Sequence, residues 1–237
     1  MDAPVHIDHL RADSAALLAA YRDDPTAPAW AGLGWDRTEL LTHVANVHGW
    51  VRAQLHLGTG ERIRFSTVER APDGDALPAW FEAGAAELLD LLATMDLAAT
   101  WPTWAGPQPG TFFPRRMAQE TAVHRWDAAG GAIGPELAVD GVDELLALFV
   151  PRLPAERLEG LSGSIHLHAT DADGEWLVRM APEGISFERG HAKGDVVLRG
   201  AANDLLLWSW NRLPVDERFD VIGNGEILGT WRSAVSF

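Results

Sequence analysis

The sequence contains no cysteine. That excludes a disulfide framework, a thiolate metal site and a protein thiol nucleophile together. Lysine is nearly missing too: Lys193 stands alone, arginine carries almost all the positive charge, and the formal net charge is −15. So acidic a chain has no footing for nucleic acid, whose phosphates need clustered Lys and Arg. It also repels anionic small molecules at long range, so an anionic substrate would need a local Arg or a metal ion. No apolar run approaches the ~20 residues a membrane helix requires. The opening Met1-Asp2-Ala3-Pro4-Val5-His6 lacks the basic-then-apolar pattern of a signal peptide. The expectation is a cytoplasmic protein with no membrane or nucleic-acid partner, as a monomer or small homo-oligomer. A phosphate loop is missing as well, since Gly223-Asn224-Gly225 has neither the lysine nor the spacing. Gly160-Leu161-Ser162-Gly163 is not the Gly-x-Ser-x-Gly of an acyl-transfer elbow.

What the chain does have is an ordinary globular composition, 47% apolar and 22% charged over 237 residues. Its apolar periodicity predicts four helices first. Residues 6–22 carry the stripe Leu10, Leu17, Leu18 and Tyr21. A second helix opens at Asp36, placed as an N-cap with Glu39 three residues on, and runs through Leu40, Val44, Val47, Val51 and Leu55. His43 borders that stripe, whereas His48 and His56 fall elsewhere on the helix. After a charged loop over 58–76, residues 77–95 form a third helix. The segment from Thr100 to Gly110, with two tryptophans and three prolines, reads as an irregular loop. The fourth helix covers Arg115 to Asp127 and ends near Gly130-Gly131. Four helices in succession predict a bundle.

A further helix is expected at about 141–149, and then the period changes. Residues 164–169, 176–180, 184–187 and 195–199 alternate as short strands, followed by a helix over 201–212, a strand near 219–222 and a last helix near 226–233. The division is therefore placed as a helical domain over 1–152 and a smaller α+β domain, with a mostly antiparallel sheet, over 153–237.

In the fourth helix Glu120 and His124 lie four residues apart on one face, with Met117, Thr121 and Ala128 marking that face as inward. A buried carboxylate is costly unless something positive meets it. A divalent metal would supply that charge, although a Glu–His pair at this spacing also arises by chance. Bundle interiors build metal sites from facing helices, which makes His43 the candidate third ligand. Two His, one carboxylate and an open position suit zinc, and ferrous iron takes the same set. His166 and His168 share one face of a strand and could also be a metal pair. With nothing evident to complete it, a solvated or hydrogen-bonded strand face is the expectation there. Trp101 and Trp104, held in a loop, are candidates to line a pocket mouth where a cofactor binds.

Two segments, Trp35-Asp36-Arg37-Thr38-Glu39-Leu40-Leu41-Thr42-His43-Val44-Ala45 and Glu120-Thr121-Ala122-Val123-His124-Arg125-Trp126-Asp127-Ala128, resemble the mycothiol-dependent maleylpyruvate isomerase family. The stretches Asp195–Gly200 and Leu205–Arg212 are similar to that family's sterol-carrier-protein-like second domain, with Asn211 where a glycine is expected. The resemblance implies a DinB-like four-helix bundle holding a divalent metal, usually zinc, on His43, Glu120 and His124, with mycothiol as thiol cofactor. A zinc-bound thiol loses its proton near neutral pH, giving a nucleophile without a protein cysteine. Such a thiol would serve either a cis–trans isomerisation of maleylpyruvate type or an S-transfer to a small electrophilic substrate. Arg212, or an arginine of the 62–70 loop, would then clamp a substrate carboxylate, and Asp127 would orient a ligand imidazole or cap the helix. A metal-dependent hydrolase using bound water and a non-catalytic ligand-binding protein remain open alternatives.

Overall fold

The computed structural model describes residues 1–235, and its contacts divide the chain into two units, one of Met1–Ala132 and one beginning at Ile133. The first is helical. Helices α1 (Ala3–Asp23), α2 (Arg37–Leu57), α3 (Leu77–Thr94) and α4 (Phe112–Ala129) form a four-helix bundle in which α1 packs on α4 and α3, and α2 on α3 and α4. Leu40, Leu41, Val44, Leu77 and Phe81 make one continuous core with Leu17, Leu18 and Ala128. Helix α2 begins where the sequence predicts. Asp36 accepts from the Glu39 N–H at 2.8 Å, and Glu39 accepts from the Asp36 N–H at 2.9 Å, which closes the capping box. Helix α4 is buried on almost every side and stops at Gly130, whose φ of +67° suits a residue without Cβ.

The Thr100–Gly110 segment departs from expectation. It is a hairpin of β1 (Thr100–Thr103) and β2 (Gly106–Pro109). Its prolines do not prevent pairing because of their register: Pro102 faces Pro107 and Pro109 faces Thr100, with Trp101–Gln108 between them. Every second pair of an antiparallel ladder exchanges no N–H···O bonds, and all three prolines sit on one such alternation. A two-stranded ribbon is moreover all edge, where proline is tolerated.

The second unit contains α5 (Pro135–Glu144), which runs on through a π-helical turn over Leu145–Phe149. Strands β3 (Gly163–Ala169), β4 (Glu175–Ala181), β5 (Gly184–Arg189) and β6 (Val196–Gly200) follow, then α6 (Ala202–Ser209), β7 (Asp220–Gly223) and α7 (Glu226–Ala234). The sheet order is β5-β4-β3-β6-β7, antiparallel except for the β3–β6 pair. One face of it carries Ile165, Leu167, Trp176, Val178 and Leu198, all buried. Behind them Trp208 stacks on Trp231 at 5.7 Å. Asn211 has a φ of +62°, the left-handed region that asparagine enters at low cost. The helical part therefore precedes an α+β part, as expected. The division falls after Ala132 rather than at 152/153, because α5 packs on α6 and so belongs with the sheet.

Candidate metal centre

Along one face of α4, Arg116, Glu120 and His124 follow each other at four-residue steps, with Asp127 three residues further on. Across the bundle, His43 sits two turns into α2, its rotational position set by the capping box at Asp36. The side chains meet as this spacing requires. Glu120 Oε1 lies 3.1 Å from His43 Nε2 and 3.4 Å from His124 Nε2. The His43 and His124 rings meet edge to face at 4.9 Å. One ligand atom from each of the three residues lies within 4.8 Å of the other two. Side-chain exposure falls from 34% at His43 to 18% at Glu120 and 11% at His124, so the cluster opens to solvent on the α2 side.

Each member is held by a neighbour. Asp127, itself buried, takes the His124 Nδ1–H at 2.9 Å. That fixes the tautomer in which Nε2 faces Glu120, the carboxylate–histidine arrangement usual behind metal ligands. Arg116 donates to Glu120 Oε2 at 2.6 Å, which leaves Oε1 as the oxygen both imidazoles face. Trp35 lies 5.2 Å from the His43 ring, and the same loop is tied down by the Trp30 N–H donating to the Asp127 carbonyl at 2.8 Å.

Burial opposes ionisation of Glu120 most strongly, yet His124, His43 and Arg116 together outweigh it and hold the carboxyl well below its usual range. At His124 burial opposes the charged form, while the Glu120 charge and the hydrogen bond to Asp127 overcome it and raise the imidazole to about 9. The centre thus demands positive charge at the point where two Nε2 atoms and one carboxylate oxygen converge. A divalent cation would meet that demand, and the donor set fits one. With three protein ligands it would retain an open coordination position, the pattern of catalytic rather than structural sites.

The other predicted residues lie outside this cluster. Trp101 is buried, with its Nε1–H donating to the Asp96 carbonyl at 3.1 Å and its ring edge-on to Phe113, so it packs in the interior instead of lining a pocket mouth. Trp104 does line an apolar cleft, together with Trp50, Phe112, Phe113, Met117 and Arg116. Arg116 belongs to both the cleft and the Glu120 cluster, and so joins them. Arg212 lies in the second unit, donating to the Trp210 carbonyl at 3.1 Å, and Arg70 of the 62–70 loop lies over Phe65 at 4.4 Å.

Arg116 is not singled out by the sequence, and the expectation that His48 falls outside the buried stripe of α2 is not met. Arg116 repeats the Glu120–His124 step one turn earlier, a signal that was available. His48 is buried and meets Thr121 Oγ1 at 2.9 Å, next along α4 from Glu120. The buried face of α2 is wider than the predicted stripe and takes in His48 together with Leu41, Ala45, Gly49 and Gln54.

Fold and centre together define a class: a four-helix bundle in which two imidazoles and a carboxylate converge, followed by an α+β unit. Two solved structures of mycothiol-dependent maleylpyruvate isomerase, one of them a mutant form, share this fold. They are 14% and 13% identical, with TM-scores of 0.66 and 0.64, and each match covers 93% of both chains. No curated protein matches at the sequence level. The Mycothiol maleylpyruvate isomerase N-terminal domain matches residues 7–129, and the C-terminal domain described as MDMPI matches residues 136–228. The chain belongs to the mycothiol maleylpyruvate isomerase family.

Proposed function

We propose that this protein is a mycothiol-dependent isomerase acting on a small substrate of maleylpyruvate type, with a divalent metal, zinc by preference, held by His43, Glu120 and His124. The observation that carries the reading is the convergence of these three side chains, each braced from behind, in a chain of this family. A bound metal would supply Lewis acidity that lowers the pKa of a thiol ligand toward neutrality. The chain's own residues do the rest. Asp127 keeps the His124 proton on Nδ1, Arg116 neutralises and aims Glu120, and the cleft walls of Trp104, Phe112 and Phe113 exclude water beside them. The thiol comes from outside, since the chain has no cysteine. No helix among the described residues is long and apolar enough to cross a membrane.

The test is isomerisation of maleylpyruvate by metal-loaded, untagged protein with and without mycothiol. Turnover that requires mycothiol and leaves it unconsumed supports isomerisation. Stoichiometric uptake of mycothiol into product would mean S-transfer, and turnover without any thiol would mean the hydrolase alternative.

A further inference from the structure

The sheet of the second unit carries a second cluster of ligand-type side chains. His166 and His168 alternate on one face of β3, and Glu175 opens β4 directly opposite His168 in the antiparallel register. Just beyond β5, the Gly190 N–H donates to the Glu175 carbonyl at 3.0 Å, so the loop that leaves β5 returns alongside Glu175. That contact brings in His191. Three imidazoles then converge on one carboxylate: His166 Nε2 at 2.9 Å and His191 Nδ1 at 2.8 Å from Oε2, and His168 Nδ1 at 3.3 Å from Oε1. The His166 ring meets those of His168 and His191 nearly at right angles, at 5.9 and 5.1 Å. Gly194 allows the same loop to pass close to β3, since a Cβ there would come within 2.9 Å of the His166 nitrogen.

We propose that His166, His168, Glu175 and His191 form a second metal site, distinct from the centre in the helical unit, which binds a first-row divalent cation of the zinc type. Four ligand atoms lie within 4.8 Å of one another. Zinc bonds of 2.0–2.1 Å in a tetrahedron place ligand atoms about 3.4 Å apart. The contacts to Glu175 already approach that spacing, so an ion could enter with small movements. Three nitrogens and one oxygen suit zinc, and copper(II) by its greater general affinity. Four protein ligands fill a tetrahedron and leave no open position, which is the form of a structural site. Its effect would be to tie the loop between β5 and β6, through the exposed His191, to the buried end at His166. An isolated histidine pair on a strand would offer none of this. It is the arrival of Glu175 and His191 from two other segments that makes the set complete.

The experiment is equilibrium dialysis of the full untagged chain against micromolar zinc or cobalt, with metal counted per chain and the cobalt visible spectrum recorded. Wild type should bind two equivalents. The double variant His168→Ala/His191→Ala changes only half-buried and exposed side chains, and should bind one and lose one set of cobalt bands. The double variant Glu120→Ala/His124→Ala should retain the other equivalent, and adding His168→Ala should then weaken it by at least about tenfold, the smallest loss expected when a ligand is deleted. An equivalent that survives His168→Ala/His191→Ala, so that two remain, would overturn the proposal. So would a wild type that binds a single equivalent which the Glu120→Ala/His124→Ala change abolishes.

Discussion

At Asp127 the carboxylate accepts the His124 Nδ1–H and so acts on the centre through that imidazole, holding one proton in place. Removing it frees the imidazole to rotate and to exchange tautomers, so Asp127→Ala should weaken metal binding about 10–100-fold with the three ligands intact, as loss of such partners generally does. Zinc competition titration measures this directly. His48 makes a different prediction. Burial, ahead of the charges of Arg52 and His43 and against that of Glu120, lowers it to about 4. Its Nδ1 has no partner among the described residues, so a second proton there would be buried without an acceptor. Because the folded value lies below the ordinary one, the unfolded chain takes up a proton between about pH 6.5 and 4 that the folded chain refuses. Stability should therefore fall with pH across that window, by up to about 3 kcal/mol in total at ~1.4 kcal/mol per unit. Urea unfolding in the presence of chelator, wild type against His48→Gln, should show the slope in the first and not in the second. These two residues also mark the limit of what the sequence displays. Glu120 and His124 announce themselves by spacing, and His43 by resemblance and by its place on a facing helix. His48 stands between Val47 and Gly49 and looks like any helical histidine until the fold closes over it.

Helix α2 is the element whose local chemistry is most plainly written in the chain, since Asp36 and Glu39 reproduce in three dimensions the pairing their spacing predicts. Asp36→Ala should cost about 1 kcal/mol of stability, the usual value of an N-cap, and should leave metal stoichiometry unchanged because His43 lies two turns inside the helix. Chemical denaturation and a metal count test both halves. The β1–β2 hairpin is the opposite case. Proline reads as a breaker because it lacks an N–H, yet whether that matters depends on which side of the ribbon the missing group would point, and only the register of Pro102, Pro107 and Pro109 decides it. The histidines of β3 show the same limit. Their shared face follows from the two-residue period, but Glu175 and His191 reach them through strand pairing and loop return, which no local pattern encodes.

At the scale of the whole chain, periodicity separates helices from strands but does not say which helix belongs with which layer. Grouping α5 with the preceding helices is natural along the sequence. In the fold its Asp143 Oδ1 accepts from Trp176 Nε1 and from Arg189 Nε, both at 2.8 Å, while Leu137, Ala138 and Val142 are buried. Trp176 lies fully buried in β4, so α5 covers the sheet and satisfies its indole. We therefore place the functional boundary after Ala132 and expect two truncations of the second unit to behave differently. A fragment beginning at Ile133 should unfold cooperatively, with near-ultraviolet dichroism from its buried tryptophans. A fragment beginning at Leu153 loses the partner of Trp176 and the apolar cover of the sheet, a loss of several buried side chains worth about 1.5–3 kcal/mol each. That exceeds what a unit of this size can spare from a stability of ~5–15 kcal/mol. The shorter fragment should show neither the cooperative transition nor the dichroism, and a sharp two-state unfolding curve from it would return α5 to the helical unit.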